Sequence, residues 1–490
     1  MEQEQLNDLL LARRRKLEQL KEAGIEPFGR KFETDHYSNE VIDNFSSLEG
    51  KEVIVAGRLM SIRSHGKATF AHLQDYGGQI QIYIREDRVG EKEYELFDLV
   101  DIGDFIGVRG DVFRTRKGEV TVEVKEYTYL AKALRPLPEK WHGLKDVELR
   151  YRQRYVDLIV NREVRETFIN RSRIIQTMRE TLNGWGFIEV ETPIMQTVAG
   201  GALARPFVTH HNALDMKLYL RIATELHLKR LLVGGLDRVF EIGRIFRNEG
   251  ISTIHNPEFT SVEIYQNYAD YEDMMALTEN LISEIARKVF GTSKLSFRGK
   301  ELDLTPPWPR ESMIDIVRKY TGVDFNEISD DKAAFEAARS AGLELDQGTP
   351  WGEILYLFFD EFCEEQMQDP IFVTGFPMEV SPLATKMPSD PRLTLRFEAF
   401  ISGWEIANAF TELNDPIDQR ERFEQQLAKR EAGDDEAHAM DEDFINALEY
   451  GMPPAGGLGI GVDRLIMLLT DNISIRDVVL FPTLKPKQGE

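Results

Sequence analysis

The sequence predicts an α+β protein of more than one domain, and three observations carry that reading. Its 490 residues are enough for two or three domains with a large core in at least one. Short alternating strands run from Glu52 to Tyr129, and beyond them helical periodicity mixes with a long-looped hairpin over 239–265. Charged residues at 29% and hydrophobic ones at 42% describe an ordinary globular chain. No run approaches the ~20 consecutive apolar residues of a membrane span and no signal-peptide pattern opens the chain, so a cytoplasmic protein with no membrane partner is expected. The single cysteine, Cys363, rules out an internal disulfide and a multi-cysteine zinc site. A net charge of −24 counts against a plain nucleic-acid binder, because neutralising phosphate takes Lys and Arg, but it leaves room for local basic patches. The acidic stretch Glu431 to Asp443 reads as a solvated segment.

Residues 1 to about 30 predict a helix, with Leu6, Leu9, Leu10, Leu17 and Leu20 near helical spacing and Gly24 and Pro27 as a stop. Its other face is basic: Arg13, Arg14, Arg15, Lys16 and Lys21 are either solvated or available to RNA. In QIQIYIR, Ile80, Ile82 and Ile84 face one way and Gln79, Gln81, Tyr83 and Arg85 the other; EVTVEV at Glu119 to Val124 alternates similarly. With glycines at the turns, this is half-buried antiparallel β compatible with an OB-fold barrel or an SH3-like one. On its own, Phe70 reads as a core residue.

From Ala133 a proline-marked connector turns into helix, and from Val164 the residues Phe168, Ile175, Met178 and Leu182 mark an amphipathic helix ending near Gly184 and Gly186. Gly186 to Met195 predicts a strand carrying Pro193. Thr224 to Arg230 lies on a helix leading into the hairpin, and about Trp308 to Met367 is mainly helical. Asn408, Phe410 and Glu412 fall on one face of a strand. GGLGIGVDRL, Gly456 to Leu465, alternates glycine with aliphatics before Arg464 opens a helix, so backbone can approach a ligand closely; it lacks the GxGxxG spacing of a dinucleotide fingerprint.

The hairpin holds the most chemistry. Glu241, Gly243, Ile245 and Arg247 share one side of its first strand, and Phe259, Ser261, Glu263 and Tyr265 share one side of its second. A guanidinium offers a planar fork to phosphate or carboxylate, and a phenyl face stacks on a purine. FRNEG ending at Gly250, then His255-Asn256-Pro257-Glu258-Phe259-Thr260, then Glu263 and Tyr265, resembles motif 2 of the class II aminoacyl-tRNA synthetases, in the form found in bacterial-type lysyl-tRNA synthetases. Gly186 to Met195 resembles motif 1 and Gly456 to Leu465 motif 3, in the family's order.

The resemblance covers essentially the whole chain. It implies an N-terminal helical extension (1–48), an OB-fold anticodon-binding domain (49–138), a linker (139–163) and a catalytic domain (164–490) of antiparallel sheet flanked by helices, with a helical insertion at about 308–367. It implies a homodimer that activates L-lysine with ATP and magnesium and charges tRNA(Lys). By similarity Arg247 binds the α-phosphate, Phe259 stacks on adenine, Arg464 closes the other face of the ring, and Glu249, His255 and Asn256 complete the ATP site. Glu398 and Glu405 match the acids that hold Mg2+. Gly201, Glu225, Glu263, Tyr265, Asn408, Phe410 and Glu412 match the lysine pocket, with Glu412 nearest the ammonium. Phe70 and Gln81 match the anticodon readers, which reverses the core reading of Phe70. These acidic pocket positions set the chain apart from the aspartyl and asparaginyl relatives, which need a cation there. Thr197-Val198-Ala199, Leu395 and Ser402-Gly403-Trp404 depart from the family's usual pattern.

Overall fold

The computed structural model describes residues 2–29, 31–138, 146–431 and 439–486. Residues 139–145 of the expected linker and 432–438 of the acidic stretch lie outside the described residues. The chain forms two compact units, Met1–Lys145 and Asp146–Glu490.

In the first unit, helix α1 (Glu2–Glu22) precedes five strands: β1 (Glu52–His65), β2 (Ala68–Gln74), β3 (Gln79–Arg85), β4 (Phe105–Arg114) and β5 (Val120–Ala131). They close into a barrel in the order β1-β2-β3-β5-β4, with β3 and β5 parallel. That closure through the parallel β3–β5 pair settles the alternatives in favour of the OB fold. The alternation in β3 holds, with Ile80, Ile82 and Ile84 buried among Val53, Val55, Leu73, Val108 and Val122. Phe70 belongs to the outward set of β2, because Thr69, Ala71 and Leu73 are the residues turned inward. The basic face of α1 divides. Arg13 is buried and donates to the carbonyls of Ala133 (2.7 Å) and Ile102 (2.8 Å), and Lys16 reaches Asp101 at 2.8 Å. Arg14 and Arg15 remain exposed.

The second unit is built on one eight-stranded sheet. In chain order its elements include α2 (Arg162–Gly184), β6 (Ile188–Glu189), α3 (Glu225–Val233), β7 (Arg238–Phe246), β8 (Glu258–Asn267), α4 (Tyr271–Phe290) and β9 (Arg310–Ser312). Then come α5 (Met313–Thr321), α6 (Asp331–Ser340), α7 (Trp351–Phe362), β10 (Ile371–Thr374), β11 (Arg396–Ile401), β12 (Trp404–Thr411), β13 (Ala455–Gly461) and α8 (Val462–Leu469). The sheet order is β9-β10-β11-β12-β13-β8-β7-β6. The six central strands are antiparallel, and the short edge strands β9 and β6 pair in parallel.

Helices α2, α4 and α8 bury their apolar stripes, including Ile174, Met178, Leu182, Leu281, Ile285 and Leu468, in the same core as Val262, Ile264, Leu458 and Ile460 of the sheet. Each such side chain contributes about 1.5–3 kcal/mol by leaving water. The opposite face of the sheet is left to polar residues. Two expectations change in detail. Gly186 to Met195 is not one strand: β6 spans two residues, and beyond it the Thr192 amide and hydroxyl donate to Glu241 at 3.1 and 2.7 Å, which turns the chain out of the ladder before Pro193. The segment after Trp308 first supplies β9 to the main sheet, and only then forms α5, α6 and α7 around a core of their own.

Candidate active site

Strands β7 and β8 pair with Glu241 opposite Glu263, Gly243 opposite Ser261 and Ile245 opposite Phe259, so the two residue sets that alternation separates lie on one face. β13 lies beside β8, placing Gly459 opposite Glu263 and Gly457 opposite Tyr265. β12 follows, with Asn408 opposite Gly459 and Phe410 opposite Gly457. The polar face of these strands therefore converges on a cavity of about 450 Å³. Glycine at 457 is required for that approach: a Cβ there would stand 1.8 Å from Glu412 Oε1 and 2.5 Å from the Tyr265 ring. Gly201, at φ +86°, lines the same cavity.

At one end lie Arg247, Glu249, His255, Asn256, Phe259, Glu398, Glu405 and Arg464. The Arg247 guanidinium stands 5.3 Å from the Phe259 ring centre. Burial lowers its pKa from the usual arginine value, opposed by Glu249 and Glu405. Arg464 donates from Nη1 to the Glu405 carbonyl (2.8 Å), and its Nη2 lies 3.2 Å from His255 Nε2. Burial and then Arg464 lower the His255 pKa, which keeps the imidazole neutral and able to accept that bond. The neighbour of Arg464, Asp463, anchors α8 by accepting from the Thr260 amide (2.7 Å) and from Arg171 (2.5 Å). Asn256 uses its amide to hold the Glu258 carbonyl at 2.6 Å, so it shapes the loop.

Burial, followed by the nearby Glu405, pushes Glu398 up to about 8, against the pull of Arg396. Arg396 reaches one oxygen of this carboxylate at 2.6 Å, so burial and Glu405 prevail over a cation already paired with it. Among the described residues no cluster of three or more acidic, His or Cys side chains is arranged to hold a metal by itself. Two hard oxygen donors on one wall therefore fit a magnesium ion that takes its remaining ligands from phosphate and water.

At the other end, Glu263 accepts from the Thr224 amide and from the Tyr265 hydroxyl, each at 3.0 Å. Burial, then the charge of Glu225, raises its pKa to about 7. Glu225, Asn408 and Phe410 line the cavity, but Glu412 does not. Its carboxylate lies beneath the cavity floor, paired with the fully buried ammonium of Lys229.

Of the residues singled out in the second unit, all but Glu412 line this one cavity; of two residues missed in the sequence, Arg396 joins the lining and Lys229 lies beneath it with Glu412. Arg396 lines the wall and ties its parts together, donating to Asn408 (3.0 Å), the Val380 carbonyl (2.7 Å), Ser381 (2.9 Å) and Glu398 (2.6 Å). Its position two before Glu398 on one strand was the available signal. Lys229 bonds Glu225 at 2.6 Å, and the i,i+4 spacing on α3 was its signal.

Phe70 and Gln81 lie on the barrel of the first unit. Phe70 stacks on Tyr83 at 4.3 Å between ring centres, with planes 17° apart. Gln81 donates to Glu119 at 2.7 Å and accepts from Thr121 at 2.8 Å, which fixes the orientation of its amide. His72 reaches the other Glu119 oxygen at 2.8 Å.

Comparison with known proteins adds independent findings. Residues 146–485 match the family described as tRNA synthetases class II (D, K and N), and residues 53–130 match the OB-fold nucleic acid binding domain. The chain is 60% identical over 488 residues to the lysine–tRNA ligase of Moorella thermoacetica, covering 100% of both. It is 60% identical to that of Pelotomaculum thermopropionicum (99% of this chain, 96% of the relative) and 58% identical to that of Bacillus subtilis (99% and 98%).

Proposed function

The chain belongs to the lysine–tRNA ligases of class II, and from that premise we propose that its cavity activates L-lysine with ATP and passes the lysyl group to tRNA(Lys). The observation that carries the lysine reading is the concentration of Glu225 and Glu263 at one end of the cavity with Glu412 directly beneath it. An ammonium on a four-carbon stem is costly to bury without such partners. Tyr265 and Asn408 add hydrogen-bonding groups, Phe410 lies against the methylenes, and Gly201 closes the pocket. The family model also spans aspartate and asparagine enzymes, whose ligands need a donor where these acids stand. Arg396, the guanidinium whose charge acts on Glu225, already makes four hydrogen bonds to the protein.

In this reading the lysine carboxylate attacks the α-phosphate and pyrophosphate leaves. The attacking group is already ionised, so the chain supplies position and charge neutralisation instead of a general base. Arg247 holds the α-phosphate and Phe259 carries the adenine. Arg464, anchored through Asp463, closes the opposite side with cation–π attraction, while Glu249, His255 and Asn256 complete the ATP wall. Glu398 and Glu405 would hold magnesium, which when bound offsets phosphate charge. On the barrel, Phe70 offers a ring for a base to stack on and the fixed amide of Gln81 reads its edge.

The protein is proposed to act as a homodimer in the cytoplasm, where its tRNA substrate is. Support for the dimer is the exposed apolar side chains in and after the first motif: Ile188 at 52%, Met195 at 56% and Val208 at 55% exposure. No helix among the described residues is long and apolar enough to cross a membrane.

ATP–pyrophosphate exchange, measured without tRNA against each of the twenty amino acids, tests the reading. Exchange with lysine alone is expected. Exchange with aspartate or asparagine would overturn the acid-pocket argument, and none at all would leave a noncatalytic RNA-binding protein of the same fold.

A further inference from the structure

An ammonium already lies beneath the acidic end of the cavity. Lys229 is 0% exposed, one helical turn after Glu225 on α3, and its Nζ sits between Glu225 Oε1 (2.6 Å) and Glu412 Oε2. It stands 5.3 Å from the Phe410 ring centre and 6.0 Å from that of Phe444. Lys229 engages one oxygen of each carboxylate. Glu412 is 1% exposed, yet its Oε1 has no hydrogen-bond partner and lies against Gly457, which lines the cavity. Glu225 lines the cavity itself.

We propose that Lys229 is a positioning and specificity-determining residue, a resident counter-ion that bridges Glu225 and Glu412 through one oxygen of each and leaves their other oxygens for the ammonium groups of the substrate. This rests on the reading of the cavity as a lysine site.

The charge arithmetic supports the arrangement. Three carboxylates facing one another would not all stay ionised out of water, because burial and mutual repulsion both favour protonation. Burial raises the pKa of Glu225 and Glu412 even with Lys229 beside them, so the full charge belongs to the lysine-bound state: with all three carboxyls ionised there, the fixed ammonium lowers their three negative charges to a net two. Two is the number of ammonium groups that free lysine brings, its carboxylate being turned toward the phosphates. Burial opposes the charged form of Lys229, but Glu225 and then Glu412 outweigh it, and the ammonium is held above its ordinary value. Glu225 on α3 and Glu412 after β12 face this cation, and the charged and titratable groups that act on or with those two carboxylates are Glu263 and Tyr265 on β8 and Arg396 on β11. An uncharged residue at 229 strips one partner from each of two buried carboxylates. They then take up protons, stop acting as anions and lose their fixed orientation.

Lysine-dependent pyrophosphate exchange in Lys229→Met, Glu412→Gln and the double variant, measured from pH 6.5 to 9, tests this. In Lys229→Met the lysine KM is expected to rise about a hundredfold at pH 7 with the ATP KM within about twofold of wild type. It should recover toward high pH, where the carboxylates ionise unaided. The double variant should lose less than the product of the two single losses, because each change removes a cost created by the other. Unaltered lysine KM and pH profile in Lys229→Met would overturn the proposal and leave Lys229 as packing. Single losses that multiply in the double variant would show that Lys229 does not act through Glu412. If Lys229→Met does not fold, the charge-balanced double variant, compared with Glu412→Gln, still decides: a double variant at least as good as Glu412→Gln supports the coupling, and a further large loss refutes it. Wild-type exchange with lysine, run alongside, keeps a failure of the lysine reading separate from a failure of this inference.

Discussion

Glu263 shows how one buried carboxyl links pH to substrate. Its pKa near 7 is set first by burial and then by Glu225. Neutral pH therefore finds it partly protonated, while an incoming ammonium requires it ionised. Lysine affinity is expected to rise from pH 6 toward 8, by up to about tenfold per unit below the pKa if one proton is released. Calorimetry in two buffers of different ionisation enthalpy counts that proton, and a flat affinity over this range would remove Glu263 from the lysine site. The stability sign is the reverse of a salt-bridged carboxylate. The folded pKa lies above the reference of 4.5, so between these values the folded state holds a proton that the unfolded chain has released. The contribution of this group to ligand-free stability falls as pH rises from about 4.5 to 7.

The elements decide which face such residues share. On the barrel, β2 and β3 turn Ala71, Leu73, Ile80 and Ile82 inward, so Phe70 and Tyr83 must meet outside, where their stacked rings form a platform. Phe70→Ala is expected to cut tRNA charging by about 1–3 kcal/mol of lost stacking while lysine-dependent pyrophosphate exchange is unchanged. Equal losses in both reactions would make Phe70 a packing residue. In the second unit, β8, β12 and β13 lie side by side, and the glycines of β13 leave the space between Glu263 and Phe410 empty of side chains. A glycine-rich strand in the middle of a sheet is locally weak. Here α8 and the aliphatic residues Leu458 and Ile460 on its other face hold it in place.

At the scale of the whole molecule, the exposed apolar side chains of Ile188, Met195 and Val208 bear on assembly. Wild-type protein is expected to sediment as a dimer and Met195→Glu to shift toward monomer; a wild-type monomer at micromolar concentration would refute the dimer. Two-residue alternation was enough to read the inside of the barrel from Ile80 to Ile84, and motif spacing was enough to find Arg247, Phe259, Glu263, Glu398 and Arg464, because these depend on local periodicity and on residue order. Which barrel the strands close into depended on the parallel pairing of β3 with β5, a contact between distant segments that no local pattern encodes. The broken strand at Gly186 to Met195 arose from the Thr192 bonds to Glu241, and the change in the setting of Glu412 arose from Lys229; both are long-range polar pairings. By itself the sequence determined the family, the faces and the residue types of the pocket. Only the tertiary structure decided which acids meet a cation already inside the protein, because burial and charge are set by neighbours that lie far apart along the chain.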